Sequence, residues 1–215
     1  MRGALASADA GRLTRPATVL GMVLALVALP LLAAVPLDIG DLAAIALKWV
    51  LVAAIVVIVL GFEGAPLSSI GVARPRLGDV GWTVAVAALG VGVFVATGPL
   101  VSALGLPVRE GIPTPSLAIG IASAVTAGVT EEVLFRGYPI ERLIDAGSSP
   151  LVAGGLTWAA FTIAHAPSYP AGNLVQIGLV ALLFTAVYVR TRSLVPVVAG
   201  HVLVDLVGVL ASVYA

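Results

Sequence analysis

The sequence predicts an all-α, multi-pass integral membrane protein, folded as a helical bundle of about seven transmembrane helices. Its 215 residues are 60% hydrophobic and only 10% charged, with a mean hydropathy of +1.14. Because soluble domains carry about 25% charged residues, this composition indicates the membrane class. The apolar residues also form separate runs of roughly 20 residues, the length that a helix needs to cross a bilayer.

Seven such runs follow one another, separated by loops rich in Gly, Pro, Ser or charged residues. The predicted spans are 17–37, 41–61, 80–104, 115–138, 150–166, 172–189 and 194–213. Residues 1–16 are predicted to form a flexible cytoplasmic tail, and residues 17–215 a single transmembrane domain. The first run is longer than the apolar stretch of about 7–15 residues in a cleaved signal peptide, which favours a retained span.

Composition excludes several kinds of chemistry. The chain contains no cysteine, which rules out disulfides, iron–sulfur clusters, thiolate metal sites and a cysteine nucleophile. Its formal net charge is zero, so nucleic acid is not an expected partner. The lipid bilayer is an expected partner because the composition is so apolar. Imidazole chemistry must use His165 or His201, the two histidines of the chain. The abundance of Arg, Ala, Val, Gly and Leu is typical of GC-rich bacterial genomes, and we expect a bacterial cytoplasmic membrane.

The distribution of arginine predicts the orientation of the helices. With a cytoplasmic N-terminus, the cytoplasmic segments contain Arg2, Arg12, Arg15, Arg74, Arg76, Arg136, Arg142, Arg190 and Arg192. The opposite side then holds only Arg109. Since basic residues concentrate in cytoplasmic loops, the N-terminus is predicted to be cytoplasmic.

Three charged side chains lie inside the fourth predicted span. Such groups indicate function by default, because burying a charge in hydrocarbon is costly. On a helix, Glu132 and Arg136 are four residues apart with the acid first, the favourable order for an ion pair. Glu131 lies about 100° around the helix from Glu132 and is left free to act as a general base. Small residues spaced by four would let a neighbouring helix approach this span closely: Gly120, Ala124 and Gly128.

Both histidines are predicted to lie at the depth of Glu131. The chain reverses at residues 147–150, and position 148 is midway between Glu131 and His165, so an antiparallel hairpin would make these two residues level. His201 lies about 13 Å into the membrane from the last arginine before it, at 1.5 Å per residue. Asp205 follows on the same helix face. We therefore expect one pocket below the cytoplasmic face.

Other polar and aromatic residues are expected to be structural. Phe161 shares a helix face with His165 and is expected to pack rather than react. Lys48 is expected to extend to the membrane interface and to have no catalytic role. For His201 and Asp205 a structural interpretation also stays open, since a mutually satisfied polar pair can hold membrane helices together.

Three motifs resemble those of the CAAX protease and bacteriocin-processing (CPBP) family of intramembrane proteases, also called the ABI family. The stretches EEVLFR from Glu131, FTIAH from Phe161 and HVLVD from His201 are similar to the family's EExxxR, FxxxH and HxxxN/D motifs. They occur in the family's order within about 115–213. The resemblance implies a multi-helix membrane endopeptidase of the CAAX type, with a site that opens towards the cytosol and a peptide or protein substrate that is prenylated for the CAAX members.

The same resemblance implies a role for each motif residue. Glu131 would activate water with the assistance of His165, and His201 and Asp205 would stabilise the oxyanion or hold the geometry of the site. The supporting residues would be Glu132, Arg136 and Phe161.

Cofactor and class of function remain open at this stage. Glu131, His165 and His201 match a set of zinc ligands, and the family is often called a metalloprotease, but a metal-free glutamate mechanism is also implied. CAAX endopeptidases usually have Asn in place of Asp205, and an ionised Asp cannot donate a hydrogen bond. The alternatives are a non-proteolytic membrane scaffold or immunity protein, and a proton or cation transporter that uses the same buried groups.

Overall fold

The computed structural model describes residues 15–35, 39–112 and 114–214. The tail predicted for residues 1–16 lies almost entirely outside these stretches. Every regular element within them is helical. The predicted all-α membrane bundle is therefore confirmed.

In the described part of the chain, seven helices form the bundle. They are α1 (16–34), α2 (Gly40–Phe62), α3 (Leu77–Ala103), α4 (Leu117–Asp145), α5 (Pro150–Ala164), α6 (Ala171–Thr191) and α7 (Leu194–Tyr214). Five of them are long and apolar enough to cross a membrane, namely α2, α3, α4, α6 and α7. The apolar part of α1 and the 15 residues of α5 are shorter. At 1.5 Å per residue, α5 covers less than the roughly 30 Å of a hydrocarbon core.

Successive helices run in opposite directions, so their termini gather at two ends. One of these, the arginine end, carries four exposed side chains: Arg15, Arg74, Arg76 and Arg190. Here the Glu63 carboxylate, just after α2, accepts hydrogen bonds from Thr18 at 2.9 Å and from Arg142 at 2.7 Å. The other, the Arg109 end, consists of residues 104–112 and 165–170. Its loops are pinned by backbone bonds, from Ile112 N to Gly208 O and from Gly172 N to Pro107 O.

Helices α4 and α7 pack closely at two glycines of α4. A Cβ atom added at Gly128 would lie 2.5 Å from Val202 Cγ2 and 3.3 Å from the carbonyl oxygen of Val198. One added at Gly120 would lie 2.6 Å from Val209 Cγ1. The predicted role of the small residues on α4 is therefore confirmed, and α7 is the helix that they admit. This contact brings the second histidine of the chain against the two glutamates.

Candidate active site

Glu132 and Arg136 form an ion pair inside the bundle. Both side chains are fully buried, and Arg136 Nη1 lies 2.9 Å from Glu132 Oε1, as the spacing on the helix predicts. Arg136 also donates to Thr185 Oγ1 and to the carbonyl oxygen of Ala181 on α6, each at 3.4 Å. These two hydrogen bonds join α4 to α6. Removing Arg136 would also leave Glu132 as an uncompensated buried charge, so the network holds the two helices in one relative position.

The backbone of α4 changes its winding beside this pair. Residues Val133–Gly137 form a π-helical segment within the otherwise α-helical span. Two further π segments lie on other helices, at Leu24–Ala28 on α1 and Ile58–Phe62 on α2, so the π turn alone does not mark the site. The segment lies directly after the two glutamates, and all five of its residues are buried. The sequence analysis did not predict this change, because hydrophobic periodicity does not distinguish one π turn from an α turn.

Glu131 points into a different environment and is not free, contrary to the sequence-based expectation. Its Oε1 lies 2.9 Å from the Nζ of Lys48 on α2. Lys48 therefore does not extend to the interface as predicted, but forms part of the site. Trp49, the next residue, donates its indole N–H to Thr126 Oγ1 at 3.1 Å. Lys48 and Trp49, which are adjacent on α2, thus bind residues 126 and 131 of α4.

His165 lies level with Glu131, as the hairpin geometry predicts. Its Nε2 is 3.8 Å from Glu131 Oε2. Its Nδ1 lies 2.8 Å from the carbonyl oxygen of Phe161. Because a carbonyl can only accept, Nδ1 carries a proton and Nε2 is left facing the glutamate. A separation above 3.5 Å suits one bridging water better than a direct hydrogen bond.

His201 connects the structural glutamate with Asp205. Its Nδ1 donates to Glu132 Oε1 at 2.8 Å, so this single oxygen accepts from both His201 and Arg136. Its Nε2 lies 3.6 Å from Asp205 Oδ2. Glu132 Oε2 is buried and has no hydrogen-bond partner among the described residues. A buried orphan oxygen is costly, and such atoms are a feature of functional sites.

Phe161 does more than fill space. The guanidinium carbon of Arg136 lies 4.1 Å from the centre of its ring, a cation–π contact. The His165 ring stacks on it at 4.3 Å between centres, and Phe135 meets it edge-on at 5.1 Å. The ring therefore contacts His165 on one side and the guanidinium of the Glu132–Arg136 pair on the other.

These groups line one cavity of about 570 Å³. Glu131, His165, His201 and Asp205 all face it, together with Lys48. The four predicted catalytic residues are thus brought to one place. Further lining side chains come from α3, α6 and the half of α7 that follows His201, and most of them are apolar.

The cavity extends in the direction opposite to the expected one. From Glu131, His165 and His201 the cavity continues to residues 108–112, at the Arg109 end of the bundle. Residues of the arginine end are not among its lining. The sequence analysis placed the pocket below the arginine-rich face because it measured depth alone. Depth does not determine which side of a mid-membrane site is open.

Two residues at the edge of the cavity, Arg109 and Tyr169, were not predicted from the sequence to belong to the site. The guanidinium of Arg109 lies 4.8 Å from the centre of the Tyr169 ring and donates to the carbonyl oxygen of Ser168. Burial raises the pKa of Tyr169, and the negative charges of Glu131 and Asp205 raise it further, so its hydroxyl stays neutral. The position of Tyr169 one helical turn after His165 was the available signal.

The described residues do not fit a metal centre. No three His, Asp or Glu side chains in this part of the chain are arranged so that they could hold an ion. Glu131 Oε1 is bonded to the Lys48 ammonium, and His201 Nδ1 is bonded to Glu132. The geometry therefore offers no support for zinc ligation by Glu131, His165 and His201, and no step is derived through a metal.

The fold and the site together define a membrane-embedded helical bundle with a glutamate–histidine cluster. Residues 113–207 match the family model of the Rce1-like type II CAAX prenyl endopeptidases. This segment contains all three motifs, so the match and the motifs point to the same part of the chain. No curated protein and no solved structure shows significant similarity to the chain. Lys48 and Arg109 lie outside the matched segment.

Proposed function

We propose that the protein is an intramembrane endopeptidase in which Glu131 activates the attacking water. The observation that carries this proposal is the pair formed by Glu131 Oε2 and His165 Nε2, which face one another at 3.8 Å in the cavity. Both belong to motifs within the family-matched segment. A carboxylate and an imidazole that can both contact one water lying beside them are suited to general acid–base catalysis.

The proposed reaction is hydrolysis of a peptide bond. Glu131 removes a proton from water, and the water oxygen forms a bond to the scissile carbonyl carbon. The resulting tetrahedral intermediate carries a negative oxygen. Its carbon–nitrogen bond then breaks, and the leaving amine receives the proton from Glu131 or through His165. The products are a new carboxylate and a new amine.

The oxyanion needs a donor, and His201 is the candidate that the geometry favours. Its Nδ1 donates to Glu132, so Nε2 carries a hydrogen only in the imidazolium form, which the neighbouring carboxylates of Glu132 and Asp205 stabilise. In that form Nε2 can donate to an oxyanion in the cavity. A preorganised donor of this kind in a site shielded from water stabilises developing charge strongly. Asp205, as a carboxylate, accepts and does not donate, so we assign it the orientation of His201 through the 3.6 Å contact.

Lys48 is proposed as a positioning residue. Its ammonium fixes Glu131 Oε1 at 2.9 Å and leaves Oε2 towards His165. The lysine also supplies positive charge beside the reacting atoms, which favours the carboxylate form that a general base requires. The positive charge beside Glu131 is therefore supplied by a side chain of the protein itself.

The proposed substrate is a peptide or a segment of a protein, and the bilayer is the second partner. Family membership supports a peptide bond as the target, and CAAX-type members act on prenylated chains. The mostly apolar cavity accepts apolar side chains or a lipid group on chemical grounds alone. Whether the physiological substrate is prenylated is what the experiment below decides.

The test is cleavage by detergent-purified protein of a farnesylated CAAX peptide library and its unlipidated twin. Wild type is compared with Glu131→Gln, and Asp41→Asn is the matched acid-to-amide control at an exposed position. We expect cleavage by wild type and the control, and none by Glu131→Gln. Equal cleavage by Glu131→Gln would refute the assigned role. If wild type cleaves neither library, and a partner protein co-purifies with both wild type and Glu131→Gln, the result would favour a scaffold function.

A further inference from the structure

Gln176 on α6 is a buried amide whose nitrogen is held by the neighbouring helix. The residue is only 5% exposed. Its Nε2 donates to the carbonyl oxygen of Phe94 at 3.2 Å and to Thr97 Oγ1 at 3.1 Å, both on α3. The Thr97 hydroxyl gives its own hydrogen to the carbonyl oxygen of Val93 at 2.6 Å, so towards Gln176 it can only accept. Both contacts therefore require the nitrogen end of the amide, and they fix its orientation.

This orientation leaves the carbonyl oxygen of Gln176, Oε1, as an acceptor on the side of the cavity, whose lining includes the residue. No donor within residues 15–35, 39–112 and 114–214 reaches Oε1. Among the described residues, the unpartnered side-chain oxygen that is sealed from solvent is Glu132 Oε2, so Oε1 of Gln176 remains accessible. Because a buried acceptor is costly unless it is hydrogen-bonded, the occupant of the cavity is expected to supply a donor.

The surroundings of Gln176 indicate which donor this is. The lining residues beside it are apolar, with Ile177 and Val180 on α6 and Phe94 and Val95 on α3. Such a wall suits a peptide with apolar side chains, and the donors of such a peptide lie on its backbone. A backbone N–H that is removed from water needs an acceptor. The apolar side chains offer none, whereas Oε1 of Gln176 does.

We propose that Gln176 is a substrate-binding residue whose Oε1 accepts a hydrogen bond from one backbone N–H of an extended peptide in the cavity. This inference rests on the proposed function and deepens it by naming how the substrate is recognised. The substrate class is a peptide segment with apolar side chains and an unblocked backbone N–H at this position. Gln176 takes no part in breaking the peptide bond.

The position of Gln176 along α6 predicts which N–H it binds. Phe184 marks the level of the reacting groups, because its ring lies 5.3 Å from that of His201. Ala181, which also lines the cavity, accepts from Arg136. At 1.5 Å per residue, Gln176 lies about 7.5 Å along the axis from Ala181 and about 12 Å from Phe184. Since an extended chain covers about 3.3 Å per residue, the bound N–H is expected about two to four residues from the scissile bond.

Binding of ester-substituted peptides tests the inference. The probes are a fluorescein-labelled octapeptide of Cys, Ala, Val and Leu with a farnesylated cysteine, and the same octapeptide without the farnesyl group. In each analogue one peptide bond is replaced by an ester, which removes a single N–H. Dissociation constants are measured by fluorescence anisotropy on full-length, detergent-purified Glu131→Gln protein, which is not expected to cut the probes.

Two substitutions are compared in this Glu131→Gln parent. Gln176→Met keeps the length of the side chain and removes the acceptor. Thr97→Val is the matched control, because it removes one contact between α3 and α6 but keeps Oε1 and the bond from Gln176 to Phe94. Intrinsic fluorescence measures the Tm of each variant, and Gln176→Leu replaces Gln176→Met should the latter fail to fold.

In the parent and in Thr97→Val, we expect one or two adjacent ester analogues to bind about tenfold or more weakly than the all-amide octapeptide. In Gln176→Met, the all-amide octapeptide is itself expected to bind more weakly by a similar factor. The same ester analogues should then show no further loss, because the acceptor that they fail to reach is already absent.

Ester penalties of the same size with and without Gln176 would overturn the inference. Equal binding of every analogue to the parent, or no binding of either probe, would overturn it without any variant of Gln176. Binding requires no catalysis, so the two proposals fail separately. A wild type that cuts no peptide, in the presence of a penalty that depends on Gln176, refutes the protease alone. A wild type that cuts peptides, with penalties independent of Gln176, refutes the role of Gln176 alone.

Discussion

The ammonium of Lys48 lies 2.9 Å from Glu131 Oε1, so a helix outside the family-matched segment completes the proposed catalytic cluster. The pair joins α2 to α4 inside the membrane, where a lone charge of either sign would be costly. It also fixes which oxygen of Glu131 faces His165. Helix α2 thus supplies a side chain to the proposed site.

The first prediction concerns Lys48. Lys48→Met is expected to lower kcat by about ten- to hundredfold with little change in KM, because the lysine acts on the reacting carboxylate and not on the bound peptide. Lys48→Arg is expected to restore part of the rate, since a guanidinium can also pair with Glu131. The measurement is steady-state cleavage of the best library peptide. A Lys48→Met enzyme with full kcat and a raised KM would show instead that the lysine binds substrate.

A second prediction concerns Arg136, whose role is structural. Arg136→Met leaves Glu132 buried without its cation, and removing one partner of a buried pair costs about 3–5 kcal/mol. We expect a clear drop in Tm for the detergent-purified variant, measured by intrinsic fluorescence. Arg190→Met, which removes an exposed arginine, is the control and is expected to keep the wild-type Tm. Equal Tm values for the two variants would contradict the assignment.

The ion pair at the arginine end gives a pH-dependent prediction. Burial raises the pKa of Glu63, but the hydrogen bonds and charge of Arg142 outweigh it, so its pKa lies below the ordinary 4.5. A carboxyl group whose pKa is depressed on folding adds stability above its unfolded pKa, and this stability is lost as pH falls. Glu63→Gln should therefore have a lower Tm than wild type at pH 7. The difference should shrink as the pH is lowered through and below 4.5; a difference independent of pH would exclude this linkage.

Much of the site could be predicted from the sequence because its signals are local. The Glu132–Arg136 pair follows from a spacing of four residues on one helix. The equal depth of Glu131 and His165 in the bundle follows from the position of the turn at residues 147–150, midway between them. The position of Lys48 could not be predicted, since it depends on how α2 packs against α4 and no motif marks it. The same reason explains the opening of the cavity, which depends on the packing of α3, α6 and the loop at Arg109.

Metal dependence gives another test of the cluster. Because no three His, Asp or Glu side chains among the described residues are arranged to hold an ion, we expect cleavage to survive dialysis against a chelator. Elemental analysis of the purified protein measures the metal content in parallel. Activity that disappears on chelation and returns with zinc, together with bound zinc that falls in His165→Ala, would show that the cluster rearranges around an ion.

The central claim is that Glu131 is the base, and a rate comparison between wild type and Glu131→Gln tests it most directly. Glutamine keeps the shape of the side chain but cannot accept the proton of water. On the best peptide from either library, we predict a loss of at least about 100-fold in kcat/KM, with an unchanged Tm and full activity in Asp41→Asn. A Glu131→Gln enzyme that folds normally and cleaves within a few-fold of the wild-type rate would contradict the account.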